Sequence, residues 1–183
     1  MRLVLPLLTV LLCFTPSLSA TVLLPAEFRD VVNGSQIIVY GRVSSVRSQW
    51  TEGRRRIESL VTLEAADFYR GTPSRTVTFR VPGGEVGRYK SVTVGAPEFK
   101  PGDEAVLFLK SQGPAVPQVF GLNQGVFQVR VDARSGRRLV TMPILTARSA
   151  APQIVVRGDV TRRPLPLPQF AAQVKATIQG GAR

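Results

Sequence analysis

The chain has 183 residues, 24 lysines and arginines against 12 acids, a net charge of +12, no histidine and one cysteine, Cys13. After residue 20 there is neither cysteine nor histidine. This excludes disulfides, thiol nucleophiles, histidine general bases and Cys/His zinc sites from residues 21–183.

Residues 1–20 read as a secretory signal peptide, with Arg2 as the positive start, Leu3 to Phe14 as the apolar stretch and Thr15 to Ala20 as the small, polar end. The apolar stretch is too short for a stable membrane-spanning helix. Cys13 follows Leu12 inside it rather than a small residue, which argues against lipidation. Removing the leader leaves 163 residues, enough for one domain with its own core, and takes the charge to +11. No later stretch is apolar for long enough to span a bilayer, so the chain is expected in the periplasm or outside the cell. Arginine far outnumbers lysine and is spread along the chain, which reads first as scattered solvated charge. An anionic envelope polymer, lipid head groups or an acidic exported protein are the partners the charge would suit.

Leu24 to Gly34 reads as a short helix, with Pro25 at its start, Phe28, Val31 and Val32 on one face and Asn33-Gly34 as the stop, covering one end of a barrel or sheet. Ser35 to Trp50 is a long strand. Its apolar positions are odd (Ile37, Val39, Gly41, Val43) and then even (Val46, Trp50), which predicts a bulge near Ser44-Ser45. Thr51 to Arg56 is a hairpin tip. Ile57 to Tyr69 returns, with Val61, Leu63 and Ala65 alternating before parity changes to Phe68, a second bulge at Ala66-Asp67. Thr76 to Val81 is a clean strand with Val77, Phe79 and Val81 inward.

A loop, Pro82 to Arg88, leads to an expected short strand, Ser91 to Val94, with Val92 and Val94 inward. Lys100 to Glu104 is a tight turn, and the run Ala105 to Leu109 is expected to be a central strand buried on both faces. Gln118 to Leu122 and Gly125 to Asp132 are expected to form a hairpin around Asn123-Gln124, with Phe127, Val129 and Val131 inward. Arg138 to Met142 is a last short strand. Residues 143–166 are proline-rich and extended. Leu167 to Ile178 has helical spacing (Leu167, Phe170, Ala171, Val174, Ile178), with Pro168 in the first turn and Gly180-Gly181 as the stop; it packs on the barrel or binds a partner. Two long bulged strands, a clean third and two closing strands suggest a small closed barrel.

The passages SQIIVYGRVSSVRSQW, VTLEAADFYRG, VTFRVPGG and FKPGDEAVLFL, in that order, resemble exported bacterial proteins with a TIMP-like OB-fold barrel, over roughly residues 26–132. The resemblance implies a mainly β fold. With the segments read above, the chain divides into the leader at 1–20, an OB-like barrel at 21–142 with a short N-terminal helix, an extended segment at 143–166, and an amphipathic helix and tail at 167–183. Metalloproteinase inhibitors of that fold chelate zinc through an N-terminal cysteine, which this chain lacks.

No catalytic, cofactor or metal residues are assigned. Gly83-Gly84-Glu85 is not followed by a helical pattern, so it is not a phosphate loop; the glycines suit a tight or left-handed turn. The acids Glu64, Asp67, Glu85, Glu98, Asp103 and Glu104 show no spacing that pairs them in one cleft. Phe79, Phe108 and Phe127 fall at core positions. Only Trp50, Tyr69 and Tyr89 are left as possible stacking platforms, which with export argues against nucleic acid. The candidate partner-contact residues are Gly83, Gly84, Glu85 and Arg88 of the loop, with Arg54, Arg55 and Arg56 of the tip, which is either a solvated turn or an anion-binding patch. The expected function is a non-enzymatic exported binding module; the alternatives are inhibition of an exported (metallo)protease and, behind it, a carboxylate-dependent hydrolase.

Overall fold

The computed structural model of the chain describes residues 26–111, 113–143 and 163–181. The leader, Pro25 and residues 144–162 of the proline-rich segment lie outside the described residues.

The framework is a bulged hairpin of two 14-residue strands, β1 (Ile37–Trp50) and β2 (Ile57–Arg70). Their register slips where the parity of the apolar residues changes. Val43 pairs with Leu63 and Ser45 with Thr62, leaving Ser44 as the extra residue; Gly41 pairs with Ala65 and Tyr40 with Asp67, leaving Ala66. A third slip leaves Tyr69 unmatched between Val39↔Phe68 and Ile38↔Arg70. Each bulge sharpens the coil of the strands. Gly41 lies at the tightest point, where a Cβ would sit 2.2 Å from the Glu64 carbonyl oxygen.

β3 (Thr76–Pro82) adds to β2, and β6 (Glu104–Lys110) pairs with β1 along Ile37–Arg42. The two-residue β7 (Gln118–Val119) pairs antiparallel with β6 and meets β3 in a single parallel bridge, Arg80↔Gln118. The circuit β1-β2-β3-β7-β6-β1 closes a five-stranded OB-like barrel. Its interior is filled by Val39, Val43, Val61, Leu63, Val77, Phe79, Val81, Leu107 and Leu109, the inward sets expected from alternation.

β6 is buried on both faces, as its unbroken apolar run requires. Ala105, Leu107 and Leu109 point into the barrel, while Val106 and Phe108 point into a second core. That second core holds Ile38, Phe127, Val129 and Val140 under two helices, α1 (Phe28–Asn33) and α2 (Leu167–Gly180), which contribute Val31, Val32, Phe170 and Val174. Thus α1 covers the outer wall of the barrel rather than an end. It begins at Phe28 behind Glu27, not at Pro25. Arg70 satisfies its C-terminus, donating to the carbonyls of Val32 at 2.5 Å and Ser35 at 2.9 Å. α2 carries Pro168 in its first turn and is capped by Gly181 after Gly180; its apolar face packs on the sheet.

Two expectations are corrected. Residues 118–122 and 125–132 do not form a hairpin with each other. β7 and β8 (Val126–Val131) lie in succession along the same edge of β6, as one strand interrupted by the turn Phe120–Gly125. Phe108 bridges the break, its N–H donating to the Gly125 carbonyl and its carbonyl accepting from Phe120 N–H, both at 2.9 Å. Asn-Gln suggested a hairpin, but the hydrogen-bond partner is distant in sequence. β8 then pairs with β9 (Arg138–Thr141), and β9 with β10 (Leu165–Pro166). Val131 lies beyond the covered part of this sheet and is exposed.

The second correction is the short strand Ser91 to Val94. The actual pair is β4 (Gly84–Val86) with β5 (Tyr89–Ser91), a separate two-stranded hairpin. Val92 and Val94 are not inward: they are 75% and 93% exposed. Alternating valines mimic a strand here without any neighbour to pair with.

Candidate binding site

The β4–β5 hairpin is fastened to the far half of the β1–β2 hairpin by two serines. Ser59 Oγ donates to the Gly83 carbonyl at 2.8 Å, lies 2.9 Å from Ser48 Oγ, and Ser48 Oγ accepts the Glu85 N–H at 3.2 Å. Gly83 N–H donates to the Ile57 carbonyl at 3.0 Å. Glycine is required at both positions. Gly83 has φ +95° and Gly84 φ +135°, and a Cβ on Gly84 would sit 2.4 Å from both serine oxygens. The left-handed turn expected from the glycine pair is therefore present, followed by strand and not by helix.

At the other end of this hairpin Tyr89 meets Trp50 edge to face, with ring centroids 5.4 Å apart. Trp50 pairs with Ile57, the residue after the arginine tip, so this contact brings the loop to the base of the tip. Arg54, Arg55 and Arg56 are all exposed. Gly53 and Arg54 adopt positive φ, which turns the tip tightly. Arg88 lies over the Tyr89 ring at 5.2 Å and donates to its hydroxyl at 3.1 Å. Glu85 is taken up by Lys90 at 2.9 Å, an exposed pair of little energetic weight. Behind the hairpin a cavity of about 360 Å³ opens over the barrel mouth, floored by Val46, Val61 and Phe99 and edged by Ser48, Ser59 and Lys100.

Of the seven residues singled out from the sequence, Glu85, Arg88, Arg54, Arg55 and Arg56 are exposed, whereas Gly83 is buried and Gly84 half-buried: the glycines shape the loop and do not themselves offer a contact surface. Tyr89, set apart from the core aromatics by sequence, is 49% exposed, and sequence reasoning missed the rest of the apolar surface, Val92 and Val94. Their alternation was visible, but the absence of a sheet neighbour was not.

A second charged cluster went unnoticed because its members are far apart in the chain. Glu104, on β6, accepts from Tyr40 Oη at 2.8 Å, Arg42 at 2.5 Å and Arg138 Nε at 3.0 Å, and its side chain is only 11% exposed. It ties β1, β6 and β9 together. Burial pushes the Glu104 carboxyl up, but the bonds from Tyr40, Arg138 and Arg42 outweigh burial and hold it below the usual carboxylate range. Burial first, then the bond to Glu104, pushes the Tyr40 phenol up to about 12. Burial, helped by the nearby charge of Asp67, pushes Tyr69 up to about 12 as well.

A folded pKa below the unfolded value makes Glu104 contribute stability above about pH 4.5, its ordinary value, and lose it as pH falls through the lower folded value. Glu104→Gln should cost about 2 kcal/mol at neutral pH, as expected for hydrogen bonds to a charged group. The gap to wild type should close as acid protonates Glu104. Urea melts of both proteins across the acid range check this.

Among the described residues no group of three or more His, Cys, Asp or Glu could hold a metal, and no helix is long and apolar enough to cross a membrane. Comparison with protein-family models, with curated proteins and with solved structures found no match for the chain.

Proposed function

We propose that the chain is an exported, non-enzymatic binding module whose β4–β5 hairpin and arginine tip dock on an acidic-rimmed surface of another exported protein. The observation that carries this reading is the exposure of Tyr89, Val92 and Val94 on the connection that the Trp50–Tyr89 contact ties to the base of the exposed tip Arg54, Arg55 and Arg56. An apolar centre with a charged margin is the composition of a protein–protein contact. A polyanion would need the cations alone, so the apolar centre favours a protein over an envelope polymer.

The test is retention of partners from the secreted and envelope fractions by the immobilised chain without its leader. Wild type should retain a defined protein. Gly84→Ala, which displaces the hairpin from Ser48 and Ser59, should lose it, and the triple serine variant of Arg54, Arg55 and Arg56 should weaken it about tenfold. The weakening should be mimicked by raised salt. Equal retention by all three forms, each shown to be folded, sinks the proposal. Retention of a peptidase, with loss of its activity, would select the inhibitor alternative.

A further inference from the structure

A second pocket, of about 430 Å³ and within the range of small-ligand sites, shares Val81, Pro82 and Pro97 with the barrel-mouth cavity. It sits at the seam where the barrel closes through the single bridge Arg80↔Gln118. Its apolar part is half-buried Leu122, with the edges of Ile57, Val81 and Val119, whose side chains are otherwise buried. Two arginines, Arg56 and Arg80, line the same space.

Three features distinguish this pocket from an ordinary surface dip. First, among the described residues neither guanidinium has an ion-pair or hydrogen-bond partner, although Arg80 is partly buried. Both guanidinium groups are therefore free to take an acceptor from solution. One acid, Glu58, also lines the pocket; it accepts from Gln49 Nε2 at 3.0 Å and keeps its charge, so the two arginines leave the lining at a net +1. Second, the backbone of Arg80 is fixed, its N–H donating to the Pro117 carbonyl at 2.8 Å. Third, Leu122 holds φ at +59°, one of two non-glycine residues with positive φ among the described residues. Such conformations carry strain and concentrate at binding sites.

We propose that this pocket binds a small organic anion: a carboxylate or sulfonate between Arg56 and Arg80, with an apolar body against Ile57, Val81, Val119 and Leu122. The apolar wall selects against simple inorganic anions, which gain nothing from it. The guanidinium pair selects against neutral apolar molecules. The pocket shares Arg56 with the arginine tip but takes Arg80, Val119 and Leu122 from outside the docking surface, so Arg80→Gln tests this proposal without touching the other.

Octanoate is a suitable probe, compared with octan-1-ol, inorganic phosphate and an oligothymidylate in amide NMR titrations of the chain without its leader. Octanoate should move the amides of Ile57, Val81, Val119 and Leu122, and should bind about tenfold tighter than octanol. Phosphate should move them only weakly. Arg80→Gln should weaken octanoate about tenfold, while Arg134→Gln, exposed in the β8–β9 turn, should not change it. The spectra report directly whether each variant is folded. Equal binding of octanol and octanoate, shifts confined to other parts of the chain, or no saturable shift would overturn the proposal. Tight oligothymidylate binding at the same amides would overturn it in favour of a nucleic-acid face.

Discussion

Phe108→Ala should destabilise the protein by about 4 kcal/mol, the usual cost of removing a fully buried phenylalanine ring. Phe108 is completely buried at the centre of the second core. Its ring lies 4.9 Å from that of Phe127, 6.2 Å from Phe28 and 6.4 Å from Phe170, so it touches the sheet and both helices at once. No single neighbour can collapse into the hole without leaving another contact, which is the condition for a large cavity term. For a chain of this size the loss corresponds to a drop in Tm of roughly 10 °C. Thermal melts followed by circular dichroism measure it. A loss below about 1 kcal/mol would mean that the helices do not pack on β6 in solution.

Gly41→Ala should cost nearly as much, about 3 kcal/mol, for a different reason. Gly41 is in extended backbone, so no unusual φ is involved. The obstacle is the β2 backbone itself: the new methyl would lie 2.2 Å from the Glu64 carbonyl oxygen and 3.0 Å from the Leu63 side chain. Backbone cannot rotate aside as a side chain can, and the two strands are held by bulges on either side. Gly180→Ala is the control, since nothing lies within 4 Å of a Cβ there and the position is helical. That substitution should gain about 0.5 kcal/mol from the helical preference of alanine. Urea midpoints of the two variants separate strand crowding from a general intolerance of added methyl groups.

The barrel was legible where alternation carried information across a change of parity. The shift from Val43 to Val46, and from Ala65 to Phe68, can be satisfied only by an extra residue, and Ser44 and Ala66 are those residues. The run Ala105 to Leu109 has no polar face to turn to water, so burial on both sides followed. Alternation says nothing about which strand lies alongside, and that is where reading failed. Val92 and Val94 alternate with no neighbour. Val119 and Val126 belong to one edge because both address β6, which no local pattern records.

The candidate site was legible through its glycines and its arginine run, both local signals. Its apolar centre, and the clasp made by Ser48 and Ser59, were not. Serines on a strand read as ordinary polar positions until a second chain segment is laid across them. The Glu104 cluster was hidden for the same reason, its partners Tyr40 and Arg138 lying 64 and 34 positions away.

The closure of β1 against β6 also sets an order of events as the chain is made. β1, β2 and β3 can pair as soon as they exist, since each follows the last. Their inward faces still have no opposite wall, and one long edge of β1, Ile37 to Arg42, stays open until Glu104–Lys110 has been synthesised. Contacts spanning such distances slow folding, and an open apolar edge in the interval invites pairing with another copy. Arg42 stands at the end of that edge and faces solvent. Before it meets Glu104 it is an unpaired charge on an unfinished sheet, a feature that discourages edge-to-edge association. The residue that later helps to lock the barrel shut thus guards the nascent chain while the barrel is still open.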